Sequence, residues 1–445
     1  MPTTLLKNGT LVNEGQITET DVLIRAGRIE KIASSISAHP SAEVIDCSGL
    51  HILPGVIDDQ VHFREPGFPH KGDIYSESRA AVAGGVTSFM DMPNTNPNTT
   101  TREELQHKLA RAEGRSYANY AFFFGATNQN LEEVLAVDPA LTCGIKVFMG
   151  SSTGDMLVDD AQILEGIFKA TSLVIATHCE DEQTVRQNLQ KSKDRFGAQI
   201  PFSEHPNIRS REACFLSSSL AISLAQKFGA NLHVLHLTTA EELSLFQPGP
   251  MKNKTITAEV CVHHLHFVSA DYERLGGQIK CNPAIKLHTD RLALWKALEV
   301  DRIDIIATDH APHTWAEKQN LYDACPAGLP LVQHGLTLML DAVNSGKISL
   351  QKVVQKMCHN PADRFQLDGR GYLREGYWAD MAVVDLQKEQ TITHDNVLYH
   401  VGWSPLEGAN LKGQNIRTFV NGNLIFESGK LQSPPSGQAL TFDRS

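Results

Sequence analysis

The chain has 445 residues, 41% hydrophobic and 20% charged, with 40 Lys+Arg against 51 Asp+Glu for a formal net charge of −11. These ordinary globular values exclude wholesale disorder and fibrous repeats, and the acidic balance argues against a nucleic-acid or anionic-membrane partner. No run approaches the roughly 18 apolar residues of a membrane span, no signal-peptide pattern is present, and eight scattered Cys without a CxxC pair read as the reduced thiols of a cytoplasmic protein.

The first 50 residues alternate with period two. Leu5-Leu6-Lys7-Asn8-Gly9 leads to Thr10-Leu11-Val12, and Asp21-Val22-Leu23-Ile24 turns through Ala26-Gly27 into Arg28-Ile29-Glu30-Lys31-Ile32, the pattern of strands and hairpins. From residue 54 to 368 the pattern changes. Short apolar runs at 55–61, 86–92, 120–125, 144–150, 173–178, 231–237, 255–262 and 303–309 alternate with helix-like stretches such as 102–114, 160–171, 212–228 and 290–300. This predicts an α/β fold, a (β/α)8 TIM barrel with insertions. A doubly wound open sheet is the competing architecture, weakened because no G-x-G-x-x-G follows the first strand. Residues 380–385 form another apolar strand, and 417–420 and 423–426 flank Asn421-Gly422 as a hairpin. The two β-rich ends predict one small β-sandwich, giving a composite domain of 1–53 with 369–445 and a barrel domain of 54–368.

A barrel carries its chemistry at the C-terminal ends of its strands. The first run ends in Asp58-Asp59-Gln60-Val61-His62-Phe63-Arg64, the second in Asp91-Met92-Pro93-Asn94-Thr95, and the eighth in Thr308-Asp309-His310-Ala311-Pro312-His313. The fourth carries Lys146, the fifth ends in His178 and the sixth reaches His236. Three imidazoles, a carboxylate and an inward Lys at one rim make a site for a hard-to-borderline divalent metal. A lone His at a strand end is more often a core or capping residue, so the weight lies in the coincidence. Lys146 stands between Ile145 and Val147, where an unpaired ammonium is costly to bury. It either pairs with Asp309, reaches solvent, or is a neutral amine that has taken up carbon dioxide as an anionic carbamate able to bridge two metals. Among the other rim histidines, His310 is expected only to orient Asp309. His263, His264 and His266 are expected at the surface or behind the ligands, and His70 in a loop.

Four strings carry a resemblance: His62-Phe63-Arg64-Glu65-Pro66-Gly67, Met92-Pro93-Asn94-Thr95, Gly144-Ile145-Lys146-Val147-Phe148-Met149 and Thr308-Asp309-His310-Ala311-Pro312-His313. They resemble the amidohydrolase superfamily, and within it the dihydroorotases, over nearly the whole chain. The resemblance implies reversible interconversion of L-dihydroorotate and N-carbamoyl-L-aspartate in de novo pyrimidine biosynthesis, by metal-bound hydroxide with Asp309 as general base and then acid. It implies one or two Zn2+ per chain, with His178 and His236 on one metal, His62 and Asp309 on the other, and a carbamylated Lys146 as the bridge. Arg64 would bind the substrate carboxylate, with Asn94, Asn282 and His313 completing the pocket. Glu65 and Asp73 are alternative partners for Arg64, and Asn94 has turn capping as its alternative. The implied partners are the small-molecule substrate and further copies of the chain in a homodimer or larger oligomer.

One position departs from the family pattern. Where the family has His-x-His, this chain has Gln60-Val61-His62. An amide oxygen is a poorer zinc ligand than an imidazole nitrogen, so Gln60 is expected to be a weak metal ligand and the metal there loosely held. A non-catalytic relative that scaffolds aspartate transcarbamoylase is one alternative. A dihydropyrimidinase, hydantoinase or allantoinase, sharing the metal site without the Arg64 clamp, is the other.

Overall fold

The computed structural model describes residues 3–150 and 156–444. Strands from both ends of the chain build one nine-stranded sheet. Its joint is His51–Pro54, which lies antiparallel to Met381–Thr391 with Ile52 opposite Val383, and parallel to Thr3–Asn13 with Ile52 opposite Leu11. Outward from the joint run Gln16–Arg25 and Arg28–Ala33 on one side, and Asn410–Val420, Asn423–Glu427 and Lys430–Leu431 on the other. Leu6, Val22, Ile24, Ile29, Ile52, Met381, Val383 and Phe419 make a core on this sheet, so the two termini share one β-rich unit built on a single sheet. Each fully buried side chain of this kind contributes roughly 1.5–3 kcal/mol.

The sheet's hairpins turn where the sequence predicted. Ala26-Gly27 has φ of 50° and 81°, and Asn421-Gly422 has 51° and 76°, the paired positive values of a tight turn matched to strand twist. A Cβ on Gly422 would lie 2.6 Å from the Gly27 Cα, so the two hairpin tips meet backbone to backbone and only glycine fits.

The middle of the chain is the barrel. Its strands are β1 (Val56–Val61), β2 (Val86–Asp91), β3 (Asn119–Phe122, continued by Phe124–Gly125), β4 (Ile145–Phe148), β5 (Ile175–His178), β6 (Leu232–Val234), β7 (Ile256–Cys261) and β8 (Ile305–Ala307). Neighbouring strands pair in parallel, with Phe148 opposite His178, Thr177 opposite Val234, Val234 opposite Ala258 and Cys261 opposite Ala307. The ring closes where Val61 bridges His310 and the His62 N–H donates to the His310 carbonyl at 2.7 Å. Seven of the eight predicted runs contain their strand whole, and the third begins one residue after its strand does. Parallel strands are buried on both faces, and that explains their near-continuous apolar runs.

Outward-facing Ile145, Val147, Ile175, Leu232, Val234 and Val260 pack under the helices. Inward-facing Ile57, Met90, Ala121, Phe123, Ala176 and Ile305 fill the lower bore against Phe365. Helices start on side-chain caps. Asp73, Thr101, Asp160 and Ser210 each accept a backbone N–H of the first turn of Ile74–Ala83, Arg102–Ala112, Ala161–Ala170 and Arg211–Phe228. Among the described residues no helix is long and apolar enough to cross a membrane. All eight Cys are buried and unbridged.

Candidate active site

Strand alternation sets what faces the bore. In β4 it turns Ile145 and Val147 outward and Lys146 inward. β1 breaks the alternation. Asp58 pairs with Phe89 but Val61 with Asp91, so one extra residue bulges on β1. The bulge lets Gln60 and His62 both reach the rim, where they line a cleft of about 250 Å3 with Arg64, Asn94, Lys146, His178, Arg209, His236, Asn282 and Asp309. Arg64, His236 and Asp309 have positive φ of 69°, 41° and 47°. Such strained backbone in non-glycine residues costs roughly 1–3 kcal/mol each and persists only where the surroundings impose it.

Two pairs of ligand-type atoms face one another in the cleft. His62 Nδ1–H donates to Asn94 Oδ1 at 2.8 Å, which turns the Nε2 lone pair to Asp309 Oδ1 at 3.0 Å. His178 Nε2–H donates to Glu180 Oε2 at 3.0 Å, which turns its Nδ1 lone pair to His236 Nε2 at 2.9 Å. Each pair closes either through a proton, as His236 Nε2–H to His178 Nδ1 or as a protonated His62 to Asp309, or through a metal between the two atoms. Nitrogen and oxygen ligands about 2.1 Å from one metal stand roughly 3 Å apart at right angles. The donor set therefore fits divalent metals at both pairs. Burial lowers the pKa of His178 and takes His236 well below its usual value, so both rings are neutral, as metal ligation requires. Glu180 is pulled up by burial, but Arg209 at 2.5 Å and His178 hold it down at about 2, so it remains an anion behind His178.

Lys146 is 1% exposed and makes no ion pair among the described residues; its Nζ sits 4.6 Å from the Phe148 ring centre. Neither pairing with Asp309 nor a reach to solvent holds. Burial lowers its pKa to about 8, which makes the neutral, nucleophilic amine accessible near neutral pH. Gln60 is turned with Nε2 donating to Asp309 Oδ1 at 3.1 Å and Oε1 facing the Cys261 thiol at 3.7 Å. In that orientation it braces Asp309 and points no oxygen at a cation.

Comparison with known proteins places this geometry. Residues 51–425 match the family model described as "Amidohydrolase family". The chain belongs to the amidohydrolase family. An allantoinase of Deinococcus radiodurans is 31% identical over 98% of both chains. A dihydroorotase of Methanosarcina acetivorans is 32% identical over 98% of this chain and 94% of that one. The L-hydantoinase (dihydropyrimidinase) of Arthrobacter aurescens superposes with a TM-score of 0.94 over 99% of this chain and 100% of that one, at 26% identity. The amidohydrolase is thus an enzyme of the cyclic-amide hydrolase kind.

The end of the amidohydrolase cleft away from the facing pairs is built by Arg64, only 4% exposed. Its Nε donates to the Pro312 carbonyl at 3.0 Å and its Nη2 lies 3.0 Å from His313 Nε2. Neither Glu65 nor Asp73 is its partner, because Arg115 takes both, at 2.6 and 3.9 Å. Asn282 Oδ1 is buried without a hydrogen-bond partner. His313 stands behind Arg64, with Lys71 Nζ at 3.0 Å, and does not line the cleft.

Among the other histidines, His310 departs from expectation. His310 does not touch Asp309. Its Nε2–H donates to Glu77 at 2.8 Å and its Nδ1 accepts the N–H groups of Leu331 and Val332, so it staples strand eight to the chain beyond it. His263 and His264 are buried on the short helix Val262–His266 rather than at the surface, because that helix turns in against the barrel top. His70 is exposed, 3.8 Å from Glu317.

Sequence reasoning missed Glu180 and Arg209. The Glu two residues beyond His178 was a readable signal. Arg209 lies in an insertion without a pattern. It also missed two lysines that pin the cleft's rim. Lys318 Nζ donates to the carbonyls of Lys280, Pro326 and Gly328 at 3.1, 2.9 and 2.8 Å, and Lys280 Nζ to those of Tyr322 and Cys325 at 2.6 and 2.7 Å. Lys318→Met removes three hydrogen bonds; the Lys280 carbonyl keeps the Gly328 N–H at 2.8 Å, and the Pro326 and Gly328 carbonyls lose their lysine donor, at roughly 1–3 kcal/mol. Amide hydrogen exchange at 321–328 is expected to speed up about tenfold or more, with a severalfold rise in KM. Unchanged protection there would show that the lysines do not hold the rim.

Proposed function

We propose that this amidohydrolase is a dihydroorotase, interconverting L-dihydroorotate and N-carbamoyl-L-aspartate in pyrimidine biosynthesis. The observation that carries the reading is Arg64, a buried guanidinium in the cleft with no carboxylate partner among the described residues. Its planar fork suits a bidentate carboxylate, and dihydroorotate carries one where hydantoins, dihydrouracil and allantoin carry none. We assign His62, Lys146, His178, His236 and Asp309 to one or two zinc ions, with Lys146 carbamylated. When bound, that zinc would polarise the ring carbonyl and acidify a water toward neutral pH.

The chain's own residues do the rest. Arg64 and Asn282 hold the substrate's carboxylate and ring. Asn94 keeps His62 in one tautomer. Gln60 steadies Asp309, which takes the proton of the attacking water and passes it to the ring nitrogen as the carbonyl C–N bond breaks and the new C–O bond forms. Ring closure runs the same steps in reverse. We place the chemistry in 54–368 and assign 1–53 with 369–445 a supporting role.

The Deinococcus allantoinase, as similar as the dihydroorotase, favours a second reading, a hydrolase of cyclic ureides. One assay separates them. Zinc-loaded enzyme is expected to turn over dihydroorotate with kcat/KM at least about 100-fold above dihydrouracil or allantoin, the ratio a charged clamp worth roughly 2.7 kcal/mol supplies. Preference for either uncharged ring sinks the dihydroorotase reading.

A further inference from the structure

One layer below the rim, inside the bore, Asp59, His233 and Glu259 converge from β1, the β6 segment and β7. All three are fully buried. The β1 bulge puts Asp59 here while its neighbour Gln60 reaches the cleft. Thr257 Oγ1 directs its proton to the Leu232 carbonyl at 3.3 Å and so accepts His233 Nδ1–H at 2.8 Å. That leaves His233 Nε2 as a lone pair, 3.3 Å from Asp59 Oδ2 and 3.5 Å from Glu259 Oε2. Neither oxygen of Asp59, nor Glu259 Oε2, nor His233 Nε2 has a hydrogen-bond partner.

Two dry carboxylates against an imidazole lone pair are costly without a cation between them. The balancing charge is either a proton held within the triad, on His233 or on a carboxyl, or a metal. Distance separates the two. An imidazolium closes on a carboxylate to about 2.7–2.9 Å. Ligands at about 2.0–2.2 Å from one ion stand roughly 2.8–3.1 Å apart at right angles and roughly 3.3–3.6 Å apart in tetrahedral geometry. The observed separations lie in the second range.

We propose that Asp59, His233 and Glu259 form a buried divalent-cation site, of zinc class by its nitrogen and oxygen donors, separate from the cleft. Its second carboxylate oxygen, Glu259 Oε1, accepts the His236 N–H at 3.1 Å, so the ion would tie three strands beneath the rim and fix the backbone of a cleft histidine. The other close group, Cys261 with His263 and His264, is a weaker candidate. Burial holds the Cys261 thiol well above its usual pKa, and its sulfur already faces Gln60 and Glu259.

The test is anomalous scattering at the zinc edge from crystals of the full chain grown with zinc. A peak bounded by Asp59, His233 and Glu259 is expected, distinct from peaks among the cleft residues. In solution, one zinc per chain should survive chelation of the folded protein, because the site has no exposure, and Asp59→Asn and His233→Gln should each lose that equivalent. An empty triad in the anomalous map, with or without cleft metal, overturns the proposal and leaves a proton as the balancing charge. Folded Asp59→Asn protein with undiminished zinc overturns it as well. If the variants fail to fold, the map of the unmodified chain decides. A triad peak without cleft peaks would count against the cleft assignment alone.

Discussion

Asp309→Asn is expected to lower kcat for dihydroorotate hydrolysis by about 10^3 to 10^4-fold, the upper range for loss of a positioned general base and acid. Among the described residues Asp309 is the one cleft carboxylate that faces both His62 Nε2, at 3.0 Å, and the Gln60 amide, at 3.1 Å. Asparagine keeps the shape but carries no negative charge and takes no proton. Metal content measured on the same samples separates two causes. Full zinc with lost turnover assigns the fall to proton transfer, whereas lost zinc assigns part of it to ligation. A kcat within tenfold of the unmodified enzyme would remove Asp309 from the chemistry.

Arg64→Met should raise KM for dihydroorotate about 100-fold and leave dihydrouracil turnover near its starting level. Charge-assisted hydrogen bonds contribute roughly 1.5–3 kcal/mol each, and a carboxylate left unpaired in a desolvated cleft adds to the loss. The uncharged substrate is the internal control, since Arg64 also braces the Pro312 carbonyl at 3.0 Å. A fall shared equally by both substrates would mean that Arg64 only supports the loop. Arg64→Lys should recover part of the affinity, because an ammonium keeps the charge but not the fork. Unchanged binding of dihydroorotate by Arg64→Met contradicts the carboxylate assignment.

Much of the barrel was legible because its rules are local. Doubly buried strands leave apolar runs, and a two-residue alternation turns Lys146 inward whatever the rest of the chain does. The hairpins at Ala26-Gly27 and Asn421-Gly422 were legible for the same reason. Partnerships across long sequence distances were not. His310 sits beside Asp309 in sequence, yet its partner Glu77 arrives on a helix from the opposite end of the barrel domain. Arg209 meets Glu180 only because the insertion after β5 folds back over the rim. His313 reads as a pocket residue from its place after strand eight, but the crowding of Arg64 and Lys71 holds it behind the clamp. Asp59 carried no signal, because only the bulge in β1 reveals that two adjacent residues can both enter the bore.

The joint of the terminal sheet sets the order in which this chain can be completed. His51–Pro54 is held between Thr3–Asn13 and Met381–Thr391. At ribosomal rates of about 5–20 residues per second, the second neighbour emerges tens of seconds after the first. Until then the edge of His51–Pro54 has no partner, and Ile52 lacks Met381 and Val383, so the earliest-made strands are a nascent chain's exposed surface for chaperone capture or aggregation. A circular permutant that opens the chain in an exposed helix-to-strand loop of the barrel, joining residue 445 to residue 1 through a flexible linker, would bring both halves of that sheet off the ribosome together.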